Sequence, residues 1–206
     1  MGFTRNKTFY TGIVHEWNLP TGITCPYAKE CKVIVDRETG KFSTHKGLYK
    51  CYASSAERFP SVRKSRWDNY NYVRRYGLPD LPKNCFHVRI HASGDFFTQT
   101  YFDLWLEKCR ENPNVKFWAF TKSLRFWIER IREIPENLIL TASYGGIDDD
   151  LIIPNNLKCC KVVKDKNETN LPIDYNDDLA RTPHIDFALL DNNVVGKARY
   201  KKGLSK

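Results

Sequence analysis

From residue 86 onward the chain alternates between two hydrophobic periods. Phe86, Val88 and Ile90 fall on every second position, as a half-buried strand requires, and Val115 to Phe120 and Leu138-Ile139-Leu140-Thr141 are further apolar runs of strand length. Between them, Tyr101, Leu104, Trp105 and Leu106 follow helical spacing. Leu124, Trp127, Ile128 and Ile131 do so again after Ser123, which suits an N-cap. Lys161 to Val163 and Ile185 to Leu190 are weaker strand candidates, separated by the polar stretch Lys164 to Asp178. This order predicts an α/β fold with a mainly parallel sheet and crossover helices, either open or curled into a partial (β/α) barrel.

The N-terminal half reads differently. Phe9 to Val14 suits a short first strand, and a long aperiodic segment rich in Gly, Pro, Thr and Lys runs from about residue 15 to 52. A loop of that length inside a compact domain is usually functional. Ser54 to Tyr76 then reads as a helix broken at Pro60, with Val62, Trp67, Tyr70 and Val73 near one face. Arg58, Arg63, Lys64, Arg66, Arg74 and Arg75 fall largely off that face and predict a positive stripe able to meet phosphates. The tail from Lys197 is short and basic and reads as a frayed terminus.

Length and composition narrow the setting. At 206 residues, with 41% hydrophobic and 14% aromatic content, the chain predicts one folded domain spanning 1–206. The first residues lack the apolar run of a secretory signal, and no stretch approaches the roughly 20 apolar residues of a membrane span, so a cytoplasmic, non-membrane protein is expected. Seven cysteines in such a chain point to reduced thiols used for metal binding or catalysis. The net charge of +9 suits an acidic partner such as nucleic acid.

In parallel α/β architectures ligands gather at the carboxyl ends of the strands. There the sequence places His91-Ala92-Ser93-Gly94-Asp95, Thr121-Lys122-Ser123 and Ser143-Tyr144-Gly145-Gly146. Glycines in these turns would let backbone approach a ligand, and Ser93, Gly94, Asp95, Lys122 and Ser143 could fix its amine, carboxylate or phosphate groups. The long loop leaves the same rim and carries Cys25, Cys31 and Cys51. Thiolates suit zinc and iron alike. Zinc would require a fourth ligand, with His45, Cys159 or Cys160 as candidates. An iron–sulfur cluster can be held by three, leaving one iron open. Cys85 and Cys109 read as core residues.

Trp17-Asn18-Leu19-Pro20, Thr24-Cys25-Pro26, Cys51-Tyr52-Ala53, Arg89 to Phe97, Phe120-Thr121-Lys122-Ser123 and Leu140-Thr141-Ala142-Ser143 together resemble the bacteriophage "gene product 88" family. That family is similar, more faintly, to radical S-adenosylmethionine proteins. The resemblance implies a core like theirs, a 4Fe-4S cluster on Cys25, Cys31 and Cys51, and a methionine moiety near Ser93, Gly94 and Asp95. It also implies a phage protein acting in the host cytoplasm, with an electron donor if it is an enzyme. The cysteines are more widely spaced than in most such enzymes: five residues separate Cys25 from Cys31 and nineteen separate Cys31 from Cys51. Two functions therefore stand open, a radical enzyme of unknown substrate and a non-enzymatic, metal-stapled protein that binds nucleic acid.

Overall fold

A computed structural model describes residues 1–7, 12–44 and 47–191. Seven strands form one sheet: β1 (Thr4–Asn6), β2 (Val14–Trp17), β3 (His87–Ile90), β4 (Lys116–Thr121), β5 (Leu138–Ser143), β6 (Cys159–Val163) and β7 (Phe187–Leu190). They lie side by side in sequence order, antiparallel between β1 and β2 and parallel throughout from β2 to β7. The sheet is open, because β1 and β7 end it without pairing to each other. The expected first strand is corrected: it occupies Val14–Trp17 and not Phe9 to Val14, of which Phe9 to Thr11 fall outside the described residues, as do His45 and the tail from Lys197.

Three helices fill the first crossovers: α1 (Pro60–Tyr76), α2 (Gln99–Glu111) and α3 (Leu124–Glu129). Pro60 begins α1 because its missing N–H and fixed φ suit a first turn, and a separate 3-10 turn, Tyr52–Arg58, precedes it. Thr98 caps α2 by accepting the Tyr101 N–H at 3.2 Å. Ser123 does not cap α3 in this way; its hydroxyl donates to the Phe96 carbonyl at 2.7 Å. Helix α3 stops at Glu129, so Ile131 lies beyond it.

Strand alternation divides the core in two. Val88, Ile90, Phe117, Ala119, Leu138 and Leu140 meet Phe102, Trp105 and Leu106 of α2 and Leu124 of α3, and Cys85 and Cys109 belong to this cluster. The intervening residues Trp118, Ile139, Cys160 and Phe187 join Val14 and Ala180 in a second cluster. Both faces of the central strands are thereby buried, which accounts for their nearly continuous apolar runs. Among the described residues no helix is long and apolar enough to cross a membrane.

Candidate metal centre

The carboxyl ends of β3, β4 and β5 form a rim, and the cysteine loop lies across it. At the β3 end the Leu19 N–H donates to the Ser93 carbonyl at 2.9 Å, and the Ser93 hydroxyl donates back to the Leu19 carbonyl at 2.8 Å. At the β5 end the N–H groups of Lys29 and Glu30 share the Gly145 carbonyl at 3.1 and 2.9 Å. Two tyrosines fasten the loop's far end: Tyr49 donates to the Tyr144 carbonyl at 2.8 Å and Tyr52 to the Ala92 carbonyl at 2.6 Å.

These contacts change the reading of the rim glycines. Gly94 holds a positive φ of 88°, and a Cβ there would stand 2.6 Å from Thr24 Oγ1 and 2.7 Å from Leu19 Cβ. One at Gly145 would collide with the Tyr49 hydroxyl. The close approach that the sequence predicted for a ligand is made by the chain's own loop.

The polar side chains predicted for a cofactor are likewise engaged with the protein. Asp95 is 5% exposed; its Oδ1 accepts from the Phe96 N–H at 2.8 Å and the Thr121 hydroxyl at 2.6 Å, and its Oδ2 from the Lys122 N–H at 2.8 Å. Burial pushes its acid up to about 6, against these hydrogen bonds, which favour the carboxylate. Asp95 thus stitches the β3 turn to the end of β4. The Lys122 ammonium donates to the Ser143 carbonyl at 3.0 Å, the Ser143 hydroxyl at 2.6 Å and the Tyr144 carbonyl at 3.0 Å. Ser93, Gly94, Asp95, Lys122 and Ser143 converge on one rim, with the contacts above directed at each other and at the loop.

Cys25, Cys31 and Cys51 are free, half-buried thiols carried by the loop that lies across that rim. Burial raises the pKa of each. Cys25 is raised well above its ordinary value, with Asp95, Cys51 and Cys31 adding like-charge repulsion. Burial is the main influence on Cys31 too, partly opposed by Lys122, while Cys51 is raised next by Cys31. The three therefore act on one another electrostatically from separate parts of the loop. Among the described residues, no three His, Cys, Asp or Glu side chains form a group that could hold a metal ion.

Cys159 and Cys160 lie on β6. Asp186 is the main charged neighbour of Cys159, whose thiol burial raises to about 11. Burial pushes the thiol of Cys160 up to about 12, partly opposed by the Lys122 ammonium and a hydrogen bond with Ser143. The sequence reading missed Tyr49, whose hydroxyl ties the loop to Tyr144 and whose pKa is raised by burial and then by Cys31 and Cys160. Its only sequence signal is its place two residues before Cys51.

The basic stripe is corrected as well. Arg63 and Arg66 are 6% and 8% exposed. The Arg63 guanidinium donates to the carbonyls of Arg37 at 2.9 Å, Glu57 at 2.6 Å, Arg58 at 3.1 Å and Glu38 at 3.2 Å. Arg66 pairs at 2.8 Å with Glu57, whose Oε1 also receives the Thr21 N–H at 2.8 Å. Both arginines hold the cysteine loop against α1. Lys64, Arg74 and Arg75 remain at the surface, Lys64 pairing with Asp68 at 2.6 Å and the two arginines lying over Tyr70 and Tyr76.

Residues 3–203 match the family model described as Gene product 88. The chain belongs to the gene product 88 family. It is also 35% identical over 183 residues to the Gene 88 protein of Mycobacterium phage L5, an alignment covering 79% of this chain and 67% of that protein. No solved structure matches the chain. Membership of the gene product 88 family thus covers both the loop thiols and the rim beneath them.

Proposed function

We propose that this chain is an iron–sulfur protein of radical S-adenosylmethionine type, with Cys25, Cys31 and Cys51 as ligands of a 4Fe-4S cluster and a substrate yet to be identified. The observation that carries the reading is that three free thiols, each linked by charge to another, sit in the loop across the carboxyl rim of a parallel sheet. Thiols that repel one another as thiolates make sense beside cationic iron, which reverses the local electrostatics and displaces the thiol protons.

The number of thiols favours a cluster over structural zinc. Structural zinc is closed at four protein ligands, whereas an iron–sulfur cluster can be held by three thiolates. Three protein ligands would leave one iron open to a small molecule, the chemistry on which reductive cleavage of S-adenosylmethionine depends. The chain's own part is to hold the thiols, cover them with Tyr49 and Tyr52 and fix the rim through Asp95 and Lys122.

The test is anaerobic preparation of the full chain, with iron and sulfide analysis and electron paramagnetic resonance of the reduced protein before and after addition of S-adenosylmethionine. Roughly four irons and four sulfides per chain are expected, with a signal that the added cofactor perturbs. Zinc in place of iron would overturn the cluster, and an iron signal indifferent to S-adenosylmethionine would overturn the radical-enzyme assignment.

A further inference from the structure

We propose that Arg89 and the Trp118 indole form a carboxylate-binding slot, which Asp177 of the strap between β6 and β7 closes in the resting fold and a small carboxylate ligand opens by displacing it. The three helices pack on the face of the sheet that carries Val88, Phe117 and Leu140. The opposite face carries Glu16, Arg89, Trp118, Phe120 and Thr141, in register across β2 to β5, and is met by Leu179 and Ala180 of the strap. Arg89, Phe120 and Thr141 lie in the carboxyl-end halves of their strands, the side on which parallel sheets bind ligands.

The slot is built from the sheet and filled from the strap. Arg89 Nε lies 2.8 Å from Asp177 Oδ2, the two side chains being 15% and 13% exposed, and the Trp118 indole N–H donates to that same oxygen at 3.1 Å. The guanidinium also lies over the Phe120 ring and bonds to the Tyr52 phenol, whose own proton goes to the Ala92 carbonyl. Glu16, opposite Arg89 on β2, is engaged by the amides of Asn6 at 2.9 Å and Asn18 at 3.5 Å. Arg181 stacks on Trp118, pairs with Asp178 and belongs to the strap itself.

Three features point beyond a structural ion pair. The strap is preformed: the Asp174 carboxylate accepts the N–H groups of Asn176, Asp178 and Ala180 at 3.1, 3.0 and 2.9 Å, and presents Asp177 in the left-handed region with φ 58°. Thr141, beside Phe120 in register, is 1% exposed, and its hydroxyl has no hydrogen-bond partner among the described residues, so a polar group is left for a ligand to meet. A buried ion pair also repays its desolvation poorly as a source of stability, which suits a contact made to be exchanged.

The probe is sodium acetate on the full chain, against sodium chloride at equal ionic strength, read by hydrogen exchange of strap residues 174–181 and by melting temperature. Acetate is expected to speed strap exchange in the parent, saturably, where chloride does not. Asp177→Gly suits the positive φ and empties the slot, and Asp177→Asn keeps the backbone and drops the charge. Acetate should raise the melting temperature of both and half-saturate at about tenfold lower concentration than in the parent, because no strap has to be displaced. Arg89→Gln in the Asp177→Gly background should abolish the response, and Trp118→Phe, which keeps a ring and loses the N–H, should weaken it. Equal strap exchange in acetate and chloride overturns displacement, and a folded Asp177 variant indifferent to acetate overturns the slot. Neither readout depends on iron in the loop, so failure here is distinct from failure of the cluster.

Discussion

His91 shows how one residue can serve the rim without touching a ligand. It adopts the left-handed backbone region with φ 61°, its ring packs against Phe96 and Trp105, and its Nε2 lies 2.8 Å from the Tyr101 hydroxyl. Burial lowers its pKa to about 3. The unfolded chain takes up this proton as pH falls through about 6.5, whereas the fold resists it down to about 3. Stability from this group is therefore complete above pH 6.5 and declines below it by up to about 1.4 kcal/mol per pH unit. His91→Asn, which tolerates the left-handed backbone, is expected to flatten that decline in urea unfolding between pH 6.5 and 4. Parallel profiles for parent and variant would show that His91 titrates normally. Asp95 and Gly94 mark the other limit of the sequence at this scale. Their place after a strand made them legible as special, but their partners, Thr121, Lys122 and the returning loop, are fixed by contacts 26 or more residues away from Asp95 or made across the loop.

Helix α1 was legible in extent and misleading in charge. The break at Pro60 and the stop at Gly77, whose N–H reaches the Val73 carbonyl at 3.1 Å, follow from local chemistry. Helical periodicity separates apolar from polar faces. It cannot separate an arginine in water from one aimed at carbonyl groups, and Arg63 and Arg66 are of the second kind. Removing Arg63 would leave the carbonyls of Arg37, Glu38, Glu57 and Arg58 without their donor. Arg63→Ala is thus expected to destabilise the fold by about 3 kcal/mol, while Arg74→Ser and Arg75→Ser change it by about 0.5 kcal/mol or less. Thermal unfolding of the three variants tests the division, and equal effects would return Arg63 to the surface stripe. The cysteine loop was legible as functional from its length and thiols, but its attachment through Tyr49, Tyr52 and Glu57 left no periodic trace.

At the scale of the molecule, alternating strand and helix periods were enough to foresee a mainly parallel sheet, because each period reflects a face that must be buried. They could not decide between an open sheet and a partial barrel, which depends on whether the edge strands meet. They also could not place the first strand, since Val14–Trp17 is buried at every position and lacks the alternation of a half-exposed strand. The resulting architecture sets a loop bearing three thiols over a rim in which Asp95, Lys122 and Ser143 bond to one another and to neighbouring backbone. The most direct measurement is iron per chain in single cysteine variants made without air. Cys25→Ser, Cys31→Ser and Cys51→Ser should each lose most of the iron, while Cys159→Ser and Cys160→Ser keep the parent content. Retention of iron in the loop variants, or equal loss in the β6 variants, would contradict the three-thiol centre.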